Sequence, residues 1–194
     1  EATVEKETVS LIIPCYNEQA TLPAFYQELQ SVLQTSPYHY QLLFINDGSK
    51  DDTLSILKTL AEQDSRLSYI SFSRNFGKEA AMYAGFRNAI GDYVAVMDAD
   101  LQDPPHLLPT MLEILQNGDY DSVATRRVSR KGEPPIRSCF ARLFYKLINR
   151  ISEADIVDGA RDFRLMKKEM VEAIMHMQET NRCSKGLFGC IGFG

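Results

Sequence analysis

Over the first 97 residues, short apolar runs alternate with longer stretches in which apolar side chains recur every three or four positions. Val9-Ser10-Leu11-Ile12-Ile13 is β-branched and too short for a helix, so it predicts a buried strand stopped by Pro14. After the loop Pro14-Cys15-Tyr16-Asn17-Glu18, Thr21 is placed to cap a helix carrying Leu22, Phe25, Leu29, Val32 and Leu33, with Pro23 in its first turn. The unit then recurs. Gln41 to Ile45 predicts a strand, Asn46-Asp47-Gly48-Ser49 a turn, and Asp52 to Gln63 a helix through Leu54, Leu57, Leu60 and Ala61. Leu67 to Phe72 predicts a third strand, Ser73 to Gly77 a loop, Lys78 to Ile90 an alanine-rich helix, and Tyr93 to Met97 a fourth strand after the stop at Gly91. This alternation predicts an α/β fold: a doubly wound, mostly parallel sheet with helices on both faces. Ligands in such sheets collect at the carboxyl ends of the strands. Residues 14–18, 46–49, 74–78 and 98–103 fall there.

Past Pro104-Pro105 the tempo changes. A helix from Leu107 to Gln116 and a short strand around Asp121 to Thr125 are expected, then a polar, turn-rich loop from Arg126 to Pro135. Ile136, Phe140, Leu143, Phe144, Leu147, Ile148 and Ile151 next mark a helix whose other face carries Arg137, Arg142, Lys146 and Arg150. Such a helix either lies on a membrane surface or packs on the sheet with its charges in water.

Charge sharpens this division. The net charge is −5, but residues 88–125 hold seven Asp and Glu and no Lys or Arg, whereas residues 126–150 hold eight Lys and Arg against Glu133. An acidic segment suited to a metal precedes a basic one suited to phosphates or an anionic surface; solvated charge on unrelated faces is the alternative. With 194 residues, 44% of them hydrophobic, the chain is expected to fold as one domain over residues 1–194, and its composition excludes a disordered protein. Cys15, Cys139, Cys183 and Cys190 show neither CxxC spacing nor neighbouring histidines, which argues against a zinc site or a disulfide framework and fits a reducing compartment. No run approaches ~18 apolar residues, and the N-terminus lacks a signal-peptide pattern.

Asp98-Ala99-Asp100 is the sharpest chemical feature. Alternate positions of an extended segment let two carboxylates reach one cation, and oxygen ligands suit Mg²⁺ or Mn²⁺ while leaving room for substrate phosphates. Two aspartates so spaced also serve as plain turn or capping residues. What singles this pair out is its company at successive strand ends: Pro14-Cys15-Tyr16-Asn17-Glu18, Asn46-Asp47-Gly48-Ser49-Lys50-Asp51-Asp52-Thr53, Arg74-Asn75-Phe76-Gly77-Lys78 and Asp98-Ala99-Asp100-Leu101-Gln102-Asp103-Pro104-Pro105.

Together with Asp162-Phe163-Arg164-Leu165, these segments resemble the family 2 glycosyltransferases of the GT-A fold. The Leu-Gln-Asp-Pro-Pro extension is similar to dolichol-phosphate mannose synthases and bacterial undecaprenyl-phosphate glycosyltransferases. The resemblance implies an enzyme that moves a hexose from a nucleotide sugar, with UDP favoured, to a polyprenyl phosphate at the cytoplasmic membrane face. It implies that Pro14, Tyr16, Asn17 and Glu18 hold the base and ribose and that Asp47 accepts a hydrogen bond from the base. Two of these have a structural alternative, Asp47-Gly48 as a tight turn and Tyr16 as a half-buried packing residue. Asp98, Ala99 and Lys78 would contact the nucleotide sugar, Lys78 either at the phosphates or as a surface charge. Asp98, Asp100 and Gln102 would surround the metal, with Asp100 the chief catalytic ligand. Arg126, Arg137 and Arg164 are implied to handle phosphate, and Asp162 to come nearest a general-base or sugar-positioning role; a local Asp162–Arg164 salt bridge shaping the loop is the alternative.

His106 departs from the motif, which commonly has an acidic residue there. Residues 185–193 resemble a segment leading into membrane helices, so the chain is expected to be part of a longer, membrane-anchored protein, in which a homo-oligomer is possible and no nucleic-acid partner is expected. Two competing functions are transfer to a sugar hydroxyl of a polysaccharide and a non-catalytic nucleotide-sugar-binding module. A pyrophosphorylase is disfavoured, since no glycine-rich phosphate loop follows the first strand.

Overall fold

The computed structural model describes residues 6–102, 104–126 and 160–182, with backbone alone for 126, 160–162 and 177–182. In chain order the elements are β1 (Thr8–Cys15), α1 (Leu22–Leu33), β2 (His39–Asn46), α2 (Thr53–Gln63), β3 (Leu67–Ser71), α3 (Lys78–Asn88) and β4 (Tyr93–Val96). A 3-10 turn (Pro105–Leu107), α4 (Leu108–Asn117), β5 (Ser122–Arg126), β6 (Ala160–Lys167) and α5 (Lys168–Arg182) follow among the described residues.

The six strands form one sheet in the order β3-β2-β1-β4-β6-β5. The β1–β2, β1–β4 and β2–β3 pairs are parallel, whereas β6 runs antiparallel to both β4 and β5. Alternation along each strand sorts the apolar side chains into two cores. Leu11, Ile13, Phe44, Ala95, Met97, Phe163 and Leu165 face α1 and α4, packing with Phe25, Leu29, Leu112 and Leu115, and Leu57 of α2 joins them. Ile12, Leu43, Ile45, Val94, Val96 and Met166 face the other way, onto Ala81 and Phe86 of α3 and Val171 and Ile174 of α5. The doubly wound α/β expectation therefore holds, with helices on both faces. At Gly85 a Cβ would lie 2.3 Å from the Ile12 side chain, so glycine lets α3 press directly onto β1.

Three local expectations need correction. β1 does not stop at Pro14 but continues to Cys15, with Pro14 opposite Ile45. Cys15 accepts from Asp47 N–H on the β2 side and Ile12 accepts from Met97 N–H on the β4 side. Pro14 thus presents its missing donor toward β4, which has already ended at Val96, and no ladder bond is lost. Thr21 occupies the N-cap of α1 without a side-chain cap bond; its hydroxyl donates instead to the Glu18 carboxylate. The Asp162 to Leu165 segment, expected as a loop, is part of the antiparallel strand β6, between β4 and the edge strand β5. The basic helix expected at 136–151 and the loop from 127 to 135 lie outside the described residues.

Candidate functional site

The parallel strands deliver their carboxyl ends to one edge, where hydrogen bonds clasp the loops after β1 and β2. Asn17 N–H donates to Ser49 Oγ (3.0 Å), Lys50 N–H to Asn17 Oδ1 (2.8 Å), Gln19 N–H to Asp51 Oδ2 (3.1 Å) and Asp52 N–H to Gln19 Oε1 (2.9 Å). Thr53, fully buried, accepts Glu18 N–H at 2.8 Å and donates to Asp51 Oδ1 at 2.6 Å. Asn17 adopts φ +55°, in the left-handed region that asparagine tolerates better than most residues. The Asp51 carboxyl is held below its ordinary range: its slight burial raises it, but the hydrogen bonds from Thr53 and Gln19 outweigh that effect. The clasp leaves Tyr16 exposed and Glu18 half-buried on one rigid loop. Ser49, Asp51 and Thr53 were not among the expected site residues. Their signal was the Gly-Ser-x-Asp-x-Thr run, in which short polar side chains bind nearby backbone.

Asp47 anchors the third loop. It is 4% exposed, and its carboxylate oxygens accept Phe76 N–H at 2.7 Å and Gly77 N–H at 2.9 Å. Next to it, Gly48 has φ +64° and approaches so closely that a Cβ would stand 2.2 Å from the Arg74 carbonyl carbon. The β2 and β3 loops therefore meet backbone to backbone, which only glycine permits. Phe76 itself is exposed, packed edge-on against Phe72 and under the Arg74 guanidinium, 4.7 Å from the ring centroid.

At the end of β4 the extended alternation continues past the last paired residue. Met97 and Ala99 are buried in the core, while Asp98 and Asp100 are half-exposed at the edge. Ala99 can meet a ligand only through its backbone. Asp100 Oδ1 accepts Gln102 N–H at 3.0 Å, and Leu101 between them takes φ +60°, an uncommon conformation for a side-chain-bearing residue. Lys78, first residue of α3, places Nζ 2.6 Å from Asp98 Oδ1 and 2.7 Å from Oδ2, tying the β3 loop to the β4 loop. Beneath them, burial pushes the Cys15 thiol far above its ordinary range, with Glu18 and Asp98 adding to the effect. Those two carboxylates share the neighbourhood of the buried thiol.

β6 brings the remaining candidates to the same edge. Arg164, 7% exposed, pairs with Val96 in the β4 ladder, two residues before Asp98. The antiparallel register carries the backbone of Asp162 toward the level of Asp98. β5 ends at this edge with Arg126, whose backbone pairs with Ala160. Arg137 lies outside the described residues.

Two carboxylates and an amide oxygen within five residues form a hard-donor set with few enough ligands to leave positions for phosphate oxygens, which fits Mg²⁺ or Mn²⁺. That Asp98 already holds a cationic group supports the fit. Among the described residues, no three His, Cys, Asp or Glu side chains converge into a site that protein ligands alone would fill.

The mostly parallel sheet with helices on both faces is that of the GT-A glycosyltransferase fold. A mannosyl-3-phosphoglycerate synthase from Rubrobacter xylanophilus superposes with a TM-score of 0.62 at 21% identity, covering 84% of this chain and 54% of that one. The mannosyltransferase PcManGT from Pyrobaculum calidifontis, solved with GDP-Man and Mn²⁺, gives 0.60 at 22% identity, covering 88% and 47%. The chain belongs to glycosyl transferase family 2, whose pattern it matches over residues 10–175. It is 48% identical over 185 residues to the putative glycosyltransferase CsbB of Bacillus subtilis and 41% identical over 184 residues to the bactoprenol glucosyl transferase of Shigella phage SfV. Each comparison covers 95% of this chain but only 56% and 60% of the relative, so the chain spans somewhat over half the length of these relatives.

Proposed function

We propose that this chain is the donor-binding catalytic part of an enzyme that transfers a hexose from a nucleotide sugar, UDP-linked by preference, to a polyprenyl phosphate at the cytoplasmic face of the membrane. The observation that carries the reading is the gathering at one sheet edge of the clasped β1 and β2 loops, the Lys78–Asp98 contact and both ends of the basic connection between Arg126 and Ala160. The likeness to a bactoprenol glucosyl transferase supports a polyprenyl acceptor. Among the described residues no helix is long and apolar enough to cross a membrane, so in this reading they meet it at a surface.

In the proposed mechanism Tyr16 and Glu18, fixed by the clasp, receive the base and ribose, and Asp47 keeps the third loop in register beside them. Asp98, Asp100 and Gln102 would hold Mg²⁺ or Mn²⁺, which as a Lewis acid offsets the charge developing on the departing diphosphate. Lys78 lies within reach of the same phosphates. The acceptor oxygen of a lipid phosphate is already ionised at neutral pH, so no residue is required as general base. The chemical difficulty is repulsion between two anionic substrates, which Arg164 and the cations from Arg126 through Arg137 relieve. Asp162, at the mouth of β6, would position the sugar.

The test is incubation of the full-length protein in membranes with radiolabelled UDP-glucose and Mn²⁺, offering undecaprenyl phosphate or an oligosaccharide. Label in the lipid fraction is expected. Label confined to the oligosaccharide would sink the acceptor assignment, and metal-dependent UDP binding without any product would mark a binding module.

A further inference from the structure

A lysine at the first position of a helix is electrostatically misplaced, because the helix N-terminus carries partial positive charge that disfavours a cation. Lys78 stands there, immediately after Gly77, whose N–H is already committed to Asp47. Its placement is offset by Asp98, both of whose oxygens lie within 2.7 Å of Nζ. Those are the oxygens that a divalent cation would take. The side chains of the pair are 33% and 28% exposed, so the contact can open without disturbing the core.

We propose that Lys78 is the resident counter-cation of Asp98, yielding it to the divalent ion and turning to the donor's diphosphate when metal and nucleotide bind together. The inference rests on reading this edge as a nucleotide-sugar site. Before binding, an ammonium between Asp98 and solvent limits the repulsion between Asp98 and Asp100, two residues apart. A divalent ion at Asp98 repels the ammonium, while a diphosphate attracts it, and the flexible four-carbon stem lets Nζ follow the negative charge. Lys78 thereby competes with the metal when no nucleotide is present and cooperates with it when one is. The device suppresses metal binding to the empty site and couples the two ligands.

The prediction has two opposite signs. With the full chain, Mn²⁺ binding alone, followed by electron paramagnetic resonance, is expected to tighten roughly threefold to tenfold in Lys78→Met, since a neighbouring positive charge is removed. UDP binding at saturating Mn²⁺, measured by calorimetry, is expected to weaken about tenfold in the same variant, and Lys78→Arg should keep both values near wild type. In the Asp98→Asn background the Mn²⁺ gain from Lys78→Met should vanish. Mn²⁺ affinity that is unchanged, weaker or undetectable in Lys78→Met overturns the proposal, as does a gain that persists without Asp98. Failure of the wild type to bind UDP with Mn²⁺ would instead remove the donor reading, while the Mn²⁺-alone comparison still decides whether Lys78 competes for Asp98.

Discussion

Two aspartates of this edge illustrate how differently one residue type can be used. Asp47 is buried and accepts two backbone N–H groups, whereas Asp100 stands half-exposed with a single short-range bond to Gln102 N–H. Asp47→Asn replaces one acceptor oxygen by a donor facing an N–H, and the buried mismatch is expected to cost about 1–3 kcal/mol in a denaturant titration. Asp100→Ala should stay within about 0.5 kcal/mol of wild type, as surface loop changes usually do, yet abolish Mn²⁺-dependent UDP binding in calorimetry. Unchanged metal dependence would remove Asp100 from the proposed ligand set. A third carboxylate acts far from the site. Asp64 is held well below the usual carboxylate range, chiefly by the Arg66 guanidinium, with Tyr26 also donating to it; burial, with Asp64 adding to it, pushes the Tyr26 hydroxyl up to about 12. A depressed folded value means that stability is fully present above the unfolded value near ~4 and is lost as pH falls below it. The raised Tyr26 value works in the other direction, with stability lost as pH climbs from ~10 toward about 12. Asp64→Asn should therefore flatten the acid limb of a stability profile taken between pH 7 and pH 3; an unchanged slope would assign that limb to other groups.

Elements whose hydrophobic pattern is local were legible in the sequence, and those that depend on distant partners were not. β1, β2 and β4 are apolar on both faces because helices cover both, and their uninterrupted runs announce them. Pro14 misled because a proline's cost depends on which neighbour its missing N–H faces, and that is decided by where β4 ends. β6 was hidden for a related reason. Asp162 and Arg164 make it read as a polar motif, and only its insertion between β4 and β5 buries Arg164 beside Val96. The site motifs were visible by residue type, but the division of labour among them was not: Asn17, expected at the nucleotide, spends its side-chain oxygen on Lys50 N–H. The clasp predicts that Thr53 positions the loop carrying Tyr16 and Glu18. Thr53→Val removes the acceptor for Glu18 N–H and should destabilise by about 1–2 kcal/mol while raising the UDP dissociation constant severalfold, with Thr53→Ser restoring both. Loss of stability with intact UDP affinity would show that the clasp serves the fold alone.

At the scale of the molecule, the topology decides which segments share the proposed site. Because β6 is antiparallel to its neighbours, β5 leaves the sheet and β6 enters it at the same edge, the one that carries Asp98 and Asp100. The intervening residues begin beside Arg126 and end beside Ala160, so the segment that contains the most basic stretch of the chain has both its ends at this edge. Of the seven acidic residues before it, Asp98 and Asp100 stand at the β4 end, whereas Asp92, Asp119 and Asp121 precede β4 and β5 at the opposite edge. In the proposed function, donor and acceptor recognition fall on segments that are contiguous in sequence but opposite in charge, and they should be separable by mutation. Arg137→Ala, within the basic segment, is expected to raise the KM for a polyprenyl phosphate about tenfold while shifting the UDP dissociation constant less than twofold, because a lost charge-assisted phosphate contact weakens the ligand it touches. Raising ionic strength should reproduce the acceptor effect in the wild type and diminish it in the variant, since screening acts on the same attraction. Equal losses for acceptor and nucleotide would mean that Arg137 supports the edge as a whole, and the separation of donor and acceptor recognition inferred from the β5–β6 topology would fail.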